Sequence, residues 1–349
     1  MYWTWWIVKR AVFALLVFVG VLLVPVGYTE LSCQGSLTEE TYDPLIVDPA
    51  WQRAESRTLL TYPEWHIVHA YDDYARVIRD GDPHEFAYLP AVVGFWSALC
   101  PLSVQAAEMG GISGDTKATI YTIGVSFTAE MLLKGLYEET VGRLVAWGRG
   151  PVKTPLDGLS ASQAADYAKF LQQTPWYKYD FVSDARELSA TATPLFRDRE
   201  RWLALSVEYR GKALYGGVIE KAVANVGADA LRMRSVVTGI DAEALAKVTG
   251  VQVIDVTPNG ILIETDRYRA FTNLLRRLAR LGVQFEEISG NDEILFTAIS
   301  DGDTEEGAIH SFTRQGYWDY RHLILVPVTE LTERIRNLDG LRLEHVHDY

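Results

Sequence analysis

Residues 11 to 28, AVFALLVFVGVLLVPVGY, carry no charge over eighteen positions. As a helix rising 1.5 Å per residue, such a run is about the length needed to cross a bilayer's hydrocarbon core of roughly 30 Å. Lys9 and Arg10 precede it, and Glu30, Glu39, Glu40, Asp43 and Asp48 follow, with no Lys or Arg before Arg53. That asymmetry predicts a cytoplasmic N-terminus with the bulk of the chain across the membrane. In a bacterium this means the inner membrane and the periplasm. A secretory signal peptide shares the basic start and the apolar run. Here, however, no small-x-small site follows closely, Pro25-Val26-Gly27 and Leu31-Ser32-Cys33 being poor substitutes. Glu30 also stands where a lipobox ahead of Cys33 would carry an aliphatic residue. A retained single-pass anchor over 1–28 is therefore expected, followed by an extended, acidic tether over 29–50. Tyr2, Trp3, Trp5 and Trp6 crowd the tail before the basic pair. They suit an aromatic belt at the headgroups or a contact with another membrane protein. Trp3, Trp5, Trp6, Lys9 and Arg10 are thus the expected contacts with lipid or a partner.

A length of 349 residues allows roughly two domains. The net charge of −13 argues against nucleic acid, which calls for a basic face. Cys33 and Cys100 are the two cysteines. Outside the cytoplasm they are candidates for a disulfide, although Cys100 in an apolar run also suits a small core residue. With no CxxC there is no zinc-finger pattern.

Residues 51–226 read as an all-α domain of about five helices. Thr61-Tyr62-Pro63-Glu64 has a capping-box spacing with an early proline. Asp82-Pro83 repeats the logic, Asp115 opens a long helix to about Trp147, Ser160-x-x-Gln163 begins another, and the last starts near Arg197. Phe86 to Ala107 contains no charge, so it is either a buried central helix or a second membrane segment. Pro90, Pro101 and several polar residues favour the buried helix. Pro175-Trp176-Tyr177-Lys178-Tyr179 reads as an aromatic loop, a lid on the core or a binding surface.

Residues 229–349 change period. Leu231–Val237, VQVIDV, ILIET, Val283–Ile288, Ile294–Ile299, HLILVPV and LRLEHVHD read as strands, and Asp241–Val248, a segment capped by Asp266, and Thr329–Leu338 as helices. The mixture predicts an α+β sandwich of sheet and helices, with a ferredoxin-like topology as the specific expectation. The full fold class is thus α+β: an N-terminal transmembrane helix, an all-α domain and a mixed α+β sandwich.

Few residues suggest chemistry. His66, His69 and Asp73 stand at i, i+3 and i+7 on one helical face, a possible metal triad. Glu130, Glu138 and Glu139 are further potential ligands, but the alternative is i,i+4 pairing with Lys134 and Arg143 on a solvated face. Arg267, Arg276 and Arg280 belong to a basic stripe that would meet anionic headgroups or an acidic partner. There is no GxSxG and no P-loop, and no cofactor is implied. The expected role is a non-catalytic accessory, scaffold or assembly subunit bound to an integral membrane protein. The alternatives are a periplasmic ligand-binding or sensory module, or a metal-dependent or lipid-modifying enzyme using His66, His69 and Asp73.

Overall fold

The computed structural model describes residues 2–39, 41–226 and 231–349, with side chains described except at 2–4 and 222–226. Helix α1, Tyr2–Ser32, includes the whole uncharged run and is long and apolar enough to span a membrane. Most of its surface is exposed, including Phe13, Leu16 and Val24. One stripe is not: Leu22, Thr29 and Cys33 are buried at a spacing of about two turns and one turn. The following segment is no free tether. Cys33 forms a disulfide with Cys100, and Thr38 N–H donates to the Ala107 carbonyl at 3.1 Å. Gly35 lies so close to the helix containing Val104 that a Cβ would stand 2.3 Å from the Val104 carbonyl oxygen. Farther on, the buried Glu287 carboxylate accepts from Tyr42 Oη, Leu45 N–H and Ile46 N–H. The segment straps the two halves of the molecule together.

The bundle that follows comprises α2 (Arg57–Asp80), α3 (Tyr88–Glu108), α4 (Gly114–Tyr137), a π turn (Glu138–Gly142), α5 (Arg143–Arg149), α6 (Pro155–Leu171), α7 (Phe181–Thr191) and α8 (Phe196–Val226). Helix α2 is central, touching α3, α4 and α6. It starts before the expected cap: Pro63 lies inside it, and the Thr61 hydroxyl donates back to Thr58 O. Burial of Leu59 and Leu60 draws the chain into the helix a turn early. A similar shift affects α6, whose capping box is Thr154 with Asp157, while Ser160 and Gln163 lie buried within the helix. Helix α7 is additional to the five expected. The uncharged segment forms α3, with Phe95, Leu99 and Leu102 fully covered and Leu89 and Val93 exposed.

The remainder holds two sheets. Strands β1 (Arg232–Thr238), β2 (Val251–Thr257), β3 (Gly260–Asp266) and β4 (Gln284–Ile288), with helices α9 (Ala242–Ala246) and α10 (Arg269–Arg280), make a β-α-β-β-α-β unit of order β2-β3-β1-β4. All neighbours are antiparallel, which is the ferredoxin-like arrangement. Strands β5 (Glu293–Ser300), β6 (Ala308–Thr313), β7 (Tyr320–Pro327) and β8 (Arg342–His347), with α11 (Val328–Arg336), repeat it in the order β6-β7-β5-β8. In this second unit the loop 301–307 replaces the first crossover helix. Helices α10 and α11 lie between the two sheets in one core, giving a three-layer arrangement.

The second sheet is buried on both faces, which explains why β5 reads as a continuous apolar run. Ile294, Phe296 and Ala298 face α10 and α11, whereas Leu295 joins the bundle core. At the β2–β3 hairpin the positive φ (136°) is at Gly260, and Pro258-Asn259 occupy the loop centre. Asp266 ends β3 rather than capping α10. The first α10 amides are satisfied from afar: Tyr268 N–H by the Asp348 carboxylate at 2.7 Å, Arg269 N–H by Gln172 O and Ala270 N–H by Gln173 Oε1.

The Cys33–Cys100 bridge spans 67 positions. On the chain-entropy model, opening a loop of that length costs about 4 kcal/mol. Cys33→Ser with Cys100→Ser is therefore expected to lower the thermal midpoint markedly, as is reduction with dithiothreitol; a midpoint indifferent to reductant would contradict the bridge.

Candidate functional site

A cleft of about 700 Å³ opens in the helical bundle. Its walls are Trp65 and Val68 of α2, Ile123 and Phe127 of α4, Leu171 of α6, and Tyr215 and Ile219 of α8. The Pro175–Tyr177 loop roofs it. The rings of Trp176 and Tyr215 lie 5.3 Å apart, and Gly216 allows the loop backbone onto α8, where a Cβ would stand 3.3 Å from Tyr177 O. The volume and the mostly apolar, aromatic lining match those of small-molecule sites.

The floor is ionic but balanced. Lys212 Nζ lies 2.8 Å from Glu130, 3.0 Å from Glu208 and 3.0 Å from Tyr71 Oη, and Lys134 Nζ reaches Glu208 at 3.1 Å. Burial opposes charge on these groups, yet the pairing outweighs it. Lys212 is held well above the ordinary lysine range by Glu130, Tyr71 and Glu208. Glu208 is held down at about 2 by Lys134 and Lys212. Of these groups Lys212 and Glu130 line the cleft as an ion pair, Lys134 and Glu208 lie behind them, and the exposed Glu64 is the further charged lining residue. The i,i+4 pairing expected for Glu130 and Lys134 is replaced by these contacts across helices, and Glu138 pairs instead with Arg201 of α8 at 2.8 Å. Glu139 and Arg143 do form an exposed pair at 2.5 Å.

A second polar cluster lies where α2 meets the second sheet. Buried Arg321 holds Glu344 through Nη2 at 2.6 Å, and Arg314 holds Asp319 at 3.1 Å. The three residues of the possible metal triad sit here but do not converge. His66 Nε2 is 2.9 Å from Ala91 O on α3, His69 Nδ1 is 3.6 Å from Glu344 on β8, and Asp73 accepts from Gln315 N–H at 3.0 Å. Among the described residues no group of three His, Cys, Asp or Glu side chains is arranged to hold a metal. The shared helical face is real, but each side chain serves a different neighbour. His345 stacks on Trp65 with ring centroids 3.4 Å apart, and His347 sits between Tyr62 and Trp65. Burial pushes His66 down to about 4 and His347 down to about 3, and holds His69 and His345 well below the ordinary range. It lifts Asp73 to about 7 and Asp348 to about 6.

The arginines do not make a free basic face. Arg267 precedes α10 and is buried 3.7 Å from Asp348, and Arg276 donates to Leu343 O. Arg280 stays exposed, with Nε donating to Arg276 O at 3.2 Å. These side chains staple α10 to β8 and to itself. At the other end of the molecule, Lys9 lies over the Trp5 ring and Arg10 over Trp6, each at 3.5 Å. The side chain of Trp3 falls outside the described residues.

No protein-family model, curated protein or solved structure matches the chain. The site therefore rests on its geometry. Of the cleft, the aromatic loop and Glu130 stood out in the sequence. Trp65, Tyr71, Lys212 and Tyr215 read there as ordinary helix residues, because no local pattern records that four helices leave a gap between them.

Proposed function

We propose that α1 spans the cytoplasmic membrane, that the bulk of the chain lies in the periplasm, and that the protein is a non-catalytic accessory or assembly subunit of a membrane complex. One observation carries this reading: the anchor is built into the bundle. Glu30 accepts from Lys117 Nζ at 2.9 Å and from Tyr121 Oη, and Cys33 is bonded to Cys100. A rigid join of this kind fixes how the bundle is presented beside the membrane. Exposed apolar residues on the bundle, Leu144 and Trp147 of α5 with Leu203 and Val207 of α8, offer a surface for an integral membrane partner.

Trp147→Glu combined with Leu144→Glu tests the proposal, since both side chains are exposed and the fold has no need of them. After mild detergent extraction of native membranes, the wild-type chain is expected to migrate as a complex larger than one protomer. The double variant is expected to migrate alone. A wild-type chain that is itself monomeric and monodisperse at native expression would overturn the accessory reading. The cleft favours a second reading, a membrane-anchored ligand-binding module.

A further inference from the structure

We propose that the cleft between α2, α4 and α8 receives an acyl chain of a membrane phospholipid, entering from the leaflet on the far side of the membrane from Lys9 and Arg10. The inference rests on α1 spanning the bilayer and not on an accessory role.

The first argument is position. If Lys9 and Arg10 mark one interface, a core of about 30 Å ends about twenty residues later, near Glu30. Leu22, Val26 and Thr29 then lie in the distal half of the bilayer. Those residues face the bundle: Leu22 and Thr29 are buried, Val26 joins the bundle core, and α1 touches α3 and α4. The first half of α4 therefore sits at the boundary of the distal leaflet.

The second argument is the surface presented there. From Ala118 to Ala129 the α4 helix carries no charge, and Ala118, Thr119, Thr122 and Ser126 at the cleft mouth are small. Lys117 and Tyr121, on the opposite side of α4, hold Glu30 of α1. One helix thus braces the anchor with one face and opens the cleft with the other.

The third argument is the chemistry of the interior. An acyl chain asks for an apolar, elongated space with no unpaired charge. The walls are mostly aromatic and aliphatic, Lys212 is paired with Glu130 and Glu208, and the remaining charged lining residue, Glu64, is exposed to solvent. A charged or strongly polar ligand would have to break those ion pairs, whereas a hydrocarbon chain would leave them intact. The headgroup would remain at the mouth among the Thr119, Thr122 and Ser126 hydroxyls.

The test uses the full chain reconstituted in vesicles of phosphatidylethanolamine and phosphatidylglycerol, with a photoactivatable diazirine near the end of one phosphatidylethanolamine acyl chain. After irradiation and mass spectrometry, label is expected on peptides containing Ile123 and Trp176 as well as on α1. Ser126→Trp and Thr122→Trp, which crowd the exposed mouth without touching the core, are expected to lose the cleft label and keep the α1 label. A melting curve matching wild type shows that each has folded. Label confined to α1, or cleft label equal in wild type and both variants, overturns the proposal. So does cleft label obtained only from a free diazirine fatty acid. Resistance to carbonate extraction separates the two ideas: a chain released by carbonate removes the anchor itself, whereas a retained chain with an unlabelled cleft removes only the acyl-chain site.

Discussion

Acidifying the protein from about pH 7.5 to about pH 5 is expected to destabilise it, and His347→Phe is expected to reduce that sensitivity. In the fold, burial depresses the pKa values of His66, His69, His345 and His347, so these imidazoles are neutral. Unfolded, they titrate near 6.5. Below that pH the unfolded chain binds more protons, so the stability present above about 6.5 is lost as the pH falls. Asp73, raised to about 7, and Asp348, raised to about 6, act oppositely: the folded chain holds their protons more tightly, and acid favours the fold. At 1.36 kcal/mol per pKa unit, His66 and His347 each lose about 2 kcal/mol by pH 5, and the two carboxylates together regain about 4. Those contributions cancel. His69, His345, His310 and His322, all displaced downward by burial, tip the balance toward a less stable fold in acid. The ring of His347 lies 5.4 Å from that of Tyr62 and 6.0 Å from that of Trp65, and its nitrogens have no hydrogen-bond partner among the described residues. Phenylalanine fits that setting. The variant should gain about 2 kcal/mol at pH 5 relative to wild type and little at pH 7.5. Denaturant midpoints at the two pH values would show it, and parallel curves for wild type and variant would refute the assignment.

The sequence made the outline of the fold legible wherever a local signal matched the final environment. The uncharged run of α1, the amphipathic stripe Phe271, Leu274, Leu275 and Leu278 of α10, and the alternation in β1 all point to the elements that form. What it hid depends on contacts made far along the chain. Strand β6 is half-buried up to its exposed last residue, Thr313, and mixes His310 and Ser311 with apolar residues, so it shows no strong period. Without β6 the duplicated strand order could not be seen. Helix starts moved where distant groups supplied the caps, as Asp348 does for α10. The metal triad illustrates the same limit. Spacing placed His66, His69 and Asp73 on one face, but α3, β8 and the 315 loop take one side chain each. The Glu and Lys residues of α4 looked like a solvated face because their partners on α8 lie more than 60 residues away, Lys134 with Glu208 being separated by 74 positions.

Arg201→Met is expected to cost more than any surface substitution, about 3–5 kcal/mol, because it leaves buried carboxylates without a partner. Arg201 is 1% exposed. Its Nη1 reaches Glu138 at 2.8 Å and its Nε reaches Glu200 at 2.9 Å. Arg197 holds Glu200 at 2.9 Å and Asp157 at 2.8 Å, and Arg149 holds Asp157 at 2.8 Å and Asp82 at 2.9 Å. Three arginines thus face four carboxylates in a chain of pairs that joins the π turn, α5, α6 and α8 to the turn after α2. Removing Arg201 leaves Glu138 with no cation at hydrogen-bond distance in this chain of pairs, and Glu200 with only Arg197. If unpaired charge is the cause, neutralising the partners should relieve it. Arg201→Met combined with Glu138→Gln and Glu200→Gln is expected to recover much of the loss, because replacing a whole buried ionic group is far less costly than breaking it. Urea denaturation of the single and triple variants reads both effects. A triple variant no more stable than the single one would show that Arg201 acts through its packing, with its charge incidental to the stability of the bundle.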